Sequence, residues 1–196
     1  MLIKKMCVVI FILLMASFTF SQSEKQMTPE QQKAMEAYAK MGALNENHEF
    51  LKKFVGEWNV TSKAWMMPGQ EPVLSESKSK AELILGGRFL VWRYQGTMFG
   101  EPFEGMQIVS YDNMKKKYVT IWIDNTSTAF YMLEGTREGN VINDSGLWVD
   151  PVTGGDEKVR SVTSVIGPDE FTFELIMVGK DGKEFKSMEN RYKRIK

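Results

Sequence analysis

The chain has 196 residues, with 25 basic and 25 acidic side chains and a formal net charge of zero. Hydrophobic residues make up 43% of it and charged residues 26%, as in one ordinary globular domain with extensions, which excludes a disordered, collagen-like or disulfide-rich chain. The zero net charge also argues against a nucleic-acid-binding protein, because such proteins carry a basic excess.

The first 21 residues are typical of a secretory signal peptide. Two lysines form a short basic start, an unbroken apolar run follows at 6–15, and small residues precede a cleavage position after Ser21. The run is too short for a membrane-spanning helix, which needs roughly 20 residues. We therefore predict a periplasmic or secreted protein with no membrane span after cleavage, and an uncleaved anchor is the alternative. The only cysteine, Cys7, leaves with the segment.

Residues 22–46 are predicted to form a helical extension ahead of the main domain at 47–196. A Thr-Pro-Glu-Gln start predicts a helix with a capping box, which ends at Gly42. A second short helical segment at 48–55 ends at Gly56.

From there on, β-rich runs alternate with turn signals. The predicted strands lie at 57–66, 73–84, 87–98, 103–111, 117–124, 128–136, 140–148, 158–166, 170–178 and 184–194. The connections are too short for crossover helices, so the sheet is antiparallel. Sequential antiparallel strands leave two exposed edges unless the sheet closes. We predict a mainly β fold, an antiparallel up-and-down β-barrel of about ten strands, with a two-sheet sandwich as the alternative.

The segment 48–60, HEFLKKFVGEWNV, resembles the entrance of calycin-type barrels, the lipocalin and fatty-acid-binding group. In that group a short helix closes one end of the barrel and a Gly-x-Trp sequence opens the first strand, here residues 56–58. The resemblance implies that a basic residue of the last strand lies over Trp58. Arg191 is the first candidate for it and Arg194 the second.

A set of ordered motifs resembles more specifically a bacterial family of unknown function, DUF1579. The resemblance covers roughly residues 45–195. The matching motifs are GEW at 56–58, LGGRFL at 85–90, GEPFEG at 100–105, YD at 111–112 and WID at 122–124. The resemblance implies the barrel fold and brings no established activity.

Signals for catalysis are weak. His48, the only histidine, lies in the predicted closing helix, where capping or packing is the main interpretation. Haem-binding calycin-like barrels take their axial histidine from late in the barrel, where this chain has none. Acidic pairs such as Asp144 and Asp150 are interpreted as solvated loop acids, and the loop at 150–157 lacks the ligand spacing of an EF-hand. We predict no metal, no cofactor, no assigned catalytic residue and a monomer.

Aromatic and charged residues within the predicted strands are more informative, because a barrel interior with aromatic walls and a few polar groups suits a small ligand. The candidate ligand-binding residues are Trp58, Arg88, Trp92, Tyr94, Trp122, Asp124, Tyr131 and Arg191. The alternating residues 88–94 share one face and 118–124 another. If both faces point inward, Arg88 and Asp124 could pair or bracket a head group, and an anionic head group would suit Arg88 or Arg93. Aromatic residues that simply fill or coat the barrel are the alternative.

The sequence thus predicts an extracytoplasmic barrel protein that binds a small hydrophobic or amphipathic molecule in its lumen. One alternative is an enzyme, a hydrolase or isomerase, with its site in the lumen. It would be favoured by a cavity that holds a buried carboxylate within hydrogen-bond reach of Tyr or His. The other is a protein-binding module of the cell envelope, which would show a large exposed apolar patch outside the barrel.

Overall fold

The computed structural model describes residues 27–98, 100–179 and 181–196. The predicted signal peptide at 1–21 and the start of the helical extension lie outside the described residues. The helices are α1 (Pro29–Gly42) and α2 (Glu46–Leu51), and a 3-10 turn follows at Lys52–Phe54. The strands are β1 (Gly56–Ala64), β2 (Val73–Ile84), β3 (Phe89–Met98), β4 (Glu101–Asp112), β5 (Lys117–Asp124), β6 (Tyr131–Glu138), β7 (Val141–Val149), β8 (Asp156–Gly167), β9 (Glu170–Val178) and β10 (Glu184–Arg194).

These strands form one closed antiparallel barrel. Each strand pairs with its neighbours in sequence, and β1 also pairs with β10. Closure removes both sheet edges, which is the physical reason for preferring a barrel to an open sheet. The prediction of an up-and-down barrel is therefore confirmed. The bounds of β2, β5, β9 and β10 coincide with the predicted ones.

Helix α1 forms the predicted capping box, in which the hydroxyl of Thr28 accepts from the backbone N–H of Gln31. None of its residues is buried. Contacts to the barrel lie at its C-terminal end, where Asn113 Nδ2 donates to the carbonyls of Met41 and Ala43 at 3.0 and 2.7 Å. The helix is thus tethered at one end, and its apolar residues remain exposed.

Helix α2 and the 3-10 turn close one end of the barrel. Leu51 and Phe54 are buried there, and the Phe54 ring contacts Phe171 of β9 edge-on, with 5.1 Å between centroids. His48 belongs to the cap of α2, because its Nδ1 accepts from the backbone N–H of Asn45 at 3.2 Å. Burial lowers the pKa of His48, so the imidazole is neutral at pH 7. We call this end the closed end.

An arginine of the last strand locks the closed end. The Arg194 guanidinium lies 4.1 Å from the ring centroid of Trp58 and donates to the carbonyls of Val55 and Lys53. Gly56 has φ +132°, and a Cβ there would collide with that guanidinium. The basic residue over the tryptophan is therefore the second candidate, Arg194.

The first candidate for that position, Arg191, was wrong. Arg191 is exposed on the outer face of β10, where its Nε donates to Glu170 at 2.6 Å. Because successive residues of a strand point to opposite faces, Arg191 and Arg194 cannot both point inward.

No helix within 27–98, 100–179 and 181–196 is long and apolar enough to cross a membrane.

Candidate functional site

The lumen is packed near the closed end and accessible at the other. On β3, Leu90, Trp92 and Tyr94 point inward and are buried, and on β5 Tyr118, Thr120 and Trp122 do the same, with Trp122 only half-buried. The strand residues of both faces that the sequence analysis singled out thus point into the lumen, and Arg88, which precedes β3, does not. Towards the end opposite α2, the inward residues become half-buried, as Phe103 and Leu133 show. We call this the open end.

Aromatic rings fill the lumen beside α2. Trp58 is 1% exposed and meets Phe171 edge-on at 4.8 Å, and Phe171 stacks on Tyr192 at 4.0 Å. Trp92 lies 5.3 Å from Phe171 and donates from Nε1 to Ser79 Oγ at 3.2 Å. Two predicted ligand-binding residues, Trp58 and Trp92, therefore belong to the packed core.

A polar layer lies directly above these rings. The hydroxyl groups of Tyr94 and Tyr192 are 3.2 Å apart, and Asn190 Nδ2 lies 3.4 Å from the Tyr192 hydroxyl. Asn190 is 9% exposed, and its Oδ1 has no hydrogen-bond partner among the described residues. Burial, and then the neighbouring Tyr192, raise the pKa of Tyr94, so this layer is uncharged at neutral pH.

Trp122 forms the wall of the open half. Its ring stacks on Phe103 with 6.2 Å between centroids and meets Tyr94 at 5.2 Å. Gly105 makes this possible, because a Cβ at that position would overlap the indole. Glycine in the middle of β4 is thus explained by the aromatic side chain that covers it.

Asp124 holds the Trp122 indole in place. Its Oδ2 accepts from Trp122 Nε1 at 2.6 Å, and its Oδ1 accepts from the backbone N–H and hydroxyl of Thr126. Burial alone would raise the pKa of Asp124, but these hydrogen bonds outweigh it and the pKa lies below its ordinary value. Asp124 is therefore ionised and fully engaged at neutral pH.

Tyr131 completes the rim of the open end. It is the register partner of Trp122 and stacks on Trp148, with 4.0 Å between centroids and 10° between planes. The structure thus brings together Tyr94, Trp122, Asp124 and Tyr131. Their role in binding a ligand stays a prediction.

The arginines expected to meet an anionic head group lie outside the lumen. Arg88 precedes β3 at the closed end and donates from Nη2 to the carbonyl of Gly42 at 2.8 Å. Asp124 is in register with Gly105, which pairs with Tyr94, and Tyr94 lies six residues along the chain from Arg88. The two side chains are therefore far apart, and the expected pairing of Arg88 with Asp124 was wrong. The reason is that Arg88 belongs to the turn and not to the strand.

Arg93 also points away from the lumen. It is exposed on β3 and donates to the sulfur of Met106 at 3.7 Å. Arg93 and Met106 border a concavity of about 380 Å³. Most of its lining residues, such as Ile123, belong to the outer face of the barrel. Arg93 cannot therefore meet a ligand inside the barrel.

The sequence analysis missed Asp144, which was interpreted as a solvated loop acid. It points into the lumen from β7 and is 7% exposed. Burial raises the pKa of Asp144 to about 7, although hydrogen bonds from Thr120 and Ser161 oppose the shift. Asp144 has the same parity as the buried Ile142, but both faces of β7 carry apolar residues, so the sequence alone did not show which face is inside.

The Asp144 carboxyl lies beside a small cavity of about 30 Å³, whose polar lining also includes Gln107, Thr120 and Thr163. Its Oδ1 has no hydrogen-bond partner within the described part of the chain. The carboxyl occupies the space that a side chain at Gly135 would fill, since a Cβ there would collide with Oδ1. The sequence therefore builds room for a buried carboxyl and leaves one of its oxygens unpaired.

Comparison with known families decides the relationship that the motifs suggested. The model of a family described as "Protein of unknown function (DUF1579)" matches residues 43–194. The chain belongs to the DUF1579 family. A search of the curated proteins found no match.

A comparison with solved structures finds similar folds. The structure of Rv2717c from M. tuberculosis has a TM-score of 0.56 and 14% identity, and the match covers 79% of this chain and 100% of that one. A redesigned β-barrel matches with a TM-score of 0.41 and 16% identity, over 74% of this chain and 95% of that one. The first of these likenesses supports the fold, which is consistent with a calycin-like barrel.

The outer wall of this DUF1579 barrel carries an apolar row across β3 to β6. Val91, Ile108, Ile121 and Met132 are register neighbours on β3 to β6, and Met132 is exposed. On β4 and β5 the row continues to Met106 and Ile123, which pair with each other. The protein-binding alternative stays a prediction.

Proposed function

We propose that this DUF1579 protein binds a small, largely apolar molecule in the open half of its barrel. The proposal rests on one observation: the inward face changes from buried, packed aromatic rings to half-buried ones around a buried and unpaired polar oxygen, Asn190 Oδ1. A buried acceptor without a partner costs about 1–3 kcal/mol. A ligand or water that donates to it recovers that free energy.

The wall residues suit the apolar part of such a molecule. Trp122 is fixed by Asp124 and stacked on Phe103, so its indole face is ordered before a ligand arrives. Ordering in advance lowers the entropy lost on binding. The Tyr94 and Tyr192 hydroxyls form the floor and supply neutral donors and acceptors.

The enzyme alternative lacks the feature that would favour it. The hydroxyls that bond the buried carboxyl of Asp144 belong to Thr120 and Ser161, and not to Tyr or His. Within the described segments there is also no group of three or more residues able to hold a metal ion. Binding is therefore the function that the geometry supports best.

We further propose that the protein works outside the cytoplasm, because its first 21 residues have the pattern of a cleaved signal. Amino-terminal sequencing of the protein from fractionated cells tests this. We expect a mature chain that begins near Gln22. A full-length chain in the cytoplasmic fraction would contradict it.

Ligand binding is tested with N-phenyl-1-naphthylamine, a neutral apolar fluorophore whose emission rises when it leaves water, and with native mass spectrometry of the purified chain. We expect saturable binding, which Trp122→Leu weakens several-fold. Phe130→Leu is the matched control, because that ring is exposed. The proposal fails if the fluorophore does not bind saturably and no small molecule copurifies, or if both variants behave alike.

A further inference from the structure

Asp144 points to the head group that the lumen accepts. We propose that the lumen takes an amphiphile with a hydroxyl or ammonium head, which donates to Asp144, and that it rejects the carboxylate with the same tail. This inference rests on the proposed function and specifies the ligand class.

The Asp144 pocket is built for a small donor. Its Oδ1 has no partner among the described residues, and the cavity that Asp144 lines has a volume of about 30 Å³. A space of this size holds a water-sized group, which describes a hydroxyl or an ammonium head. A carboxylate is larger, and it would lie against another carboxyl with Gln107, Thr120 and Thr163 as the remaining polar lining.

The pocket borders the closed-end core at Leu51, Phe54 and Trp92, so a tail would leave it towards the open end, along apolar residues of the inner wall. One step above Gly135, Asp144 and Ser161, the inward row of strands β6 to β9 is Leu133, Gly146, Val159 and Met177. Gly146 carries no side chain, and the backbone of Met132 approaches it too closely to admit one. This row is therefore apolar, and at Gly146 its surface is formed by the backbone of Met132 and the side chain of Leu133.

The charged side chains that face the lumen also favour a cationic or neutral head group over an anionic one. The acid Asp144 faces the lumen from its middle and the acid Asp124 lies at its rim. The inward arginines, Arg137 and Arg194, lie at the closed end, where Arg137 donates to Tyr118 and Arg194 covers Trp58. A cation or a neutral donor is thus favoured over an anion in the open half.

The ionisation of Asp144 adds a pH dependence to the selection. Inward-facing charged and titratable groups on the neighbouring strands include Tyr118 and Asp124 on β5, Arg137 on β6, Tyr111 on β4 and Glu157 on β8, and His48 lies on α2. Burial raises the pKa of Tyr118 and lowers that of His48, so these two keep their neutral forms through most of the range from pH 6 to 8. Asp144, whose pKa is about 7, changes charge within it.

The test compares three amphiphiles with one tail: dodecylamine, dodecan-1-ol and dodecanoate. Each displaces bound N-phenyl-1-naphthylamine from the full chain, below the concentration at which it forms micelles. At pH 8 we expect the amine to displace the fluorophore at a concentration at least tenfold below that of dodecanoate, with the alcohol between them. Between pH 6 and pH 8 we expect the affinity for the amine to rise about tenfold.

Asp144→Asn keeps the shape of the side chain and removes the charge, so it should abolish most of the advantage of the amine over dodecanoate and its pH dependence. Asp156→Asn is the matched control, because Asp156 is exposed at the start of β8 and its substitution removes the same charge. The inference is overturned if the fluorophore binds but dodecanoate competes as well as the amine, or if Asp144→Asn leaves the ranking unchanged. A chain that binds no fluorophore overturns the proposed function as well.

Discussion

At the closed end of the barrel, aromatic side chains have defined partners: Trp58 Nε1 donates to the Phe54 carbonyl at 2.9 Å, and Arg194 covers its ring. At the open end, Trp122 and Tyr131 are only half-buried, and nearby Asn190 keeps one oxygen unpaired. The same residue types therefore do different things at the two ends. Aromatic side chains with full packing and hydrogen bonds stabilise the closed end. Those at the open end remain partly exposed, so a ligand that covers them would gain free energy by burying their surface.

The polar residues make the same distinction. His48 and Arg194 satisfy backbone groups around the entry to β1, whereas Asp144 and Asn190 face the lumen with an oxygen that no described residue bonds. Unsatisfied buried groups are costly, and most proteins contain few of them. Both unpaired oxygens, of Asp144 and Asn190, lie on the inner wall of the barrel. They distinguish the part of the lumen that we propose binds a ligand from the part that stabilises the fold.

The largest expected effect contrasts tryptophans from the two ends. Trp58→Ala should lower the free energy of unfolding by about 3–5 kcal/mol, because it opens a cavity in a packed aromatic cluster. Trp122→Ala should cost about 1–2 kcal/mol, because the indole is half-buried and water can enter the space. Urea unfolding of both variants measures the difference. Equal losses would show that the two ends are not packed differently.

The next prediction uses the titration of Asp144. The folded protein holds this proton up to a pKa of about 7, whereas an unfolded carboxyl releases it near 3.8. Between these values the folded state binds more protons, so stability falls as pH rises from about 4 to about 7 and then levels off. The difference of about three pH units corresponds to at most about 4 kcal/mol.

Asp144→Asn removes that titration. Relative to the wild-type protein, the variant should therefore gain stability as pH is raised from 5 to 8, and urea midpoints at both pH values measure the change. Asp156→Asn should follow the wild-type profile. If the profiles of Asp144→Asn and the wild-type protein run parallel, the carboxyl is not buried as the structure shows.

A third prediction concerns the glycine that makes room for Asp144. Gly135→Ala should cost about 2–3 kcal/mol, since its Cβ would collide with the Asn143 carbonyl and with Asp144 Oδ1. Gly155→Ala is the control, because the nearest atom to a Cβ there is Thr153 Oγ1 at 3.5 Å. It should change stability by less than about 0.5 kcal/mol. Equal effects in thermal unfolding would mean that the strand can shift to accept the methyl group.

Strand periodicity was enough to predict the barrel, because alternation and short turns leave few other ways to remove sheet edges. It was not enough for β7. The inward residues of that strand are Ile142, Asp144, Gly146 and Trp148, and the outward ones include Val141, Asn143 and Leu147, so neither face is purely apolar. Only the pairing with Gly135 and Ser161 shows which face is inside.

The last strand shows what more could have been inferred. Asn190, Tyr192 and Arg194 have the same parity, and an inward tyrosine requires that Arg194 also point inward and Arg191 outward. Arg88 was beyond such reasoning. Its position depends on where β3 starts, and the turn at Gly86 and Gly87, both with positive φ, places it before the first strand residue.

The smallest effects should separate these two arginines of β10. Arg194→Met removes the guanidinium from the Trp58 ring and from the carbonyls of Val55 and Lys53, and should cost about 1–2 kcal/mol. Arg191→Met loses only an exposed ion pair with Glu170, and should cost less than about 0.5 kcal/mol.

Urea unfolding in low and high salt distinguishes the two mechanisms. The loss in Arg191→Met should vanish at high salt, because screening already removes an exposed ion pair. Only the part of the Arg194→Met loss that comes from its ion pair with Asp169 should vanish, and the rest should persist, since a guanidinium packed on an indole and bonded to backbone is screened far less. If both losses vanish with salt, Arg194 contributes to the closed end as a surface charge and not as part of its packing.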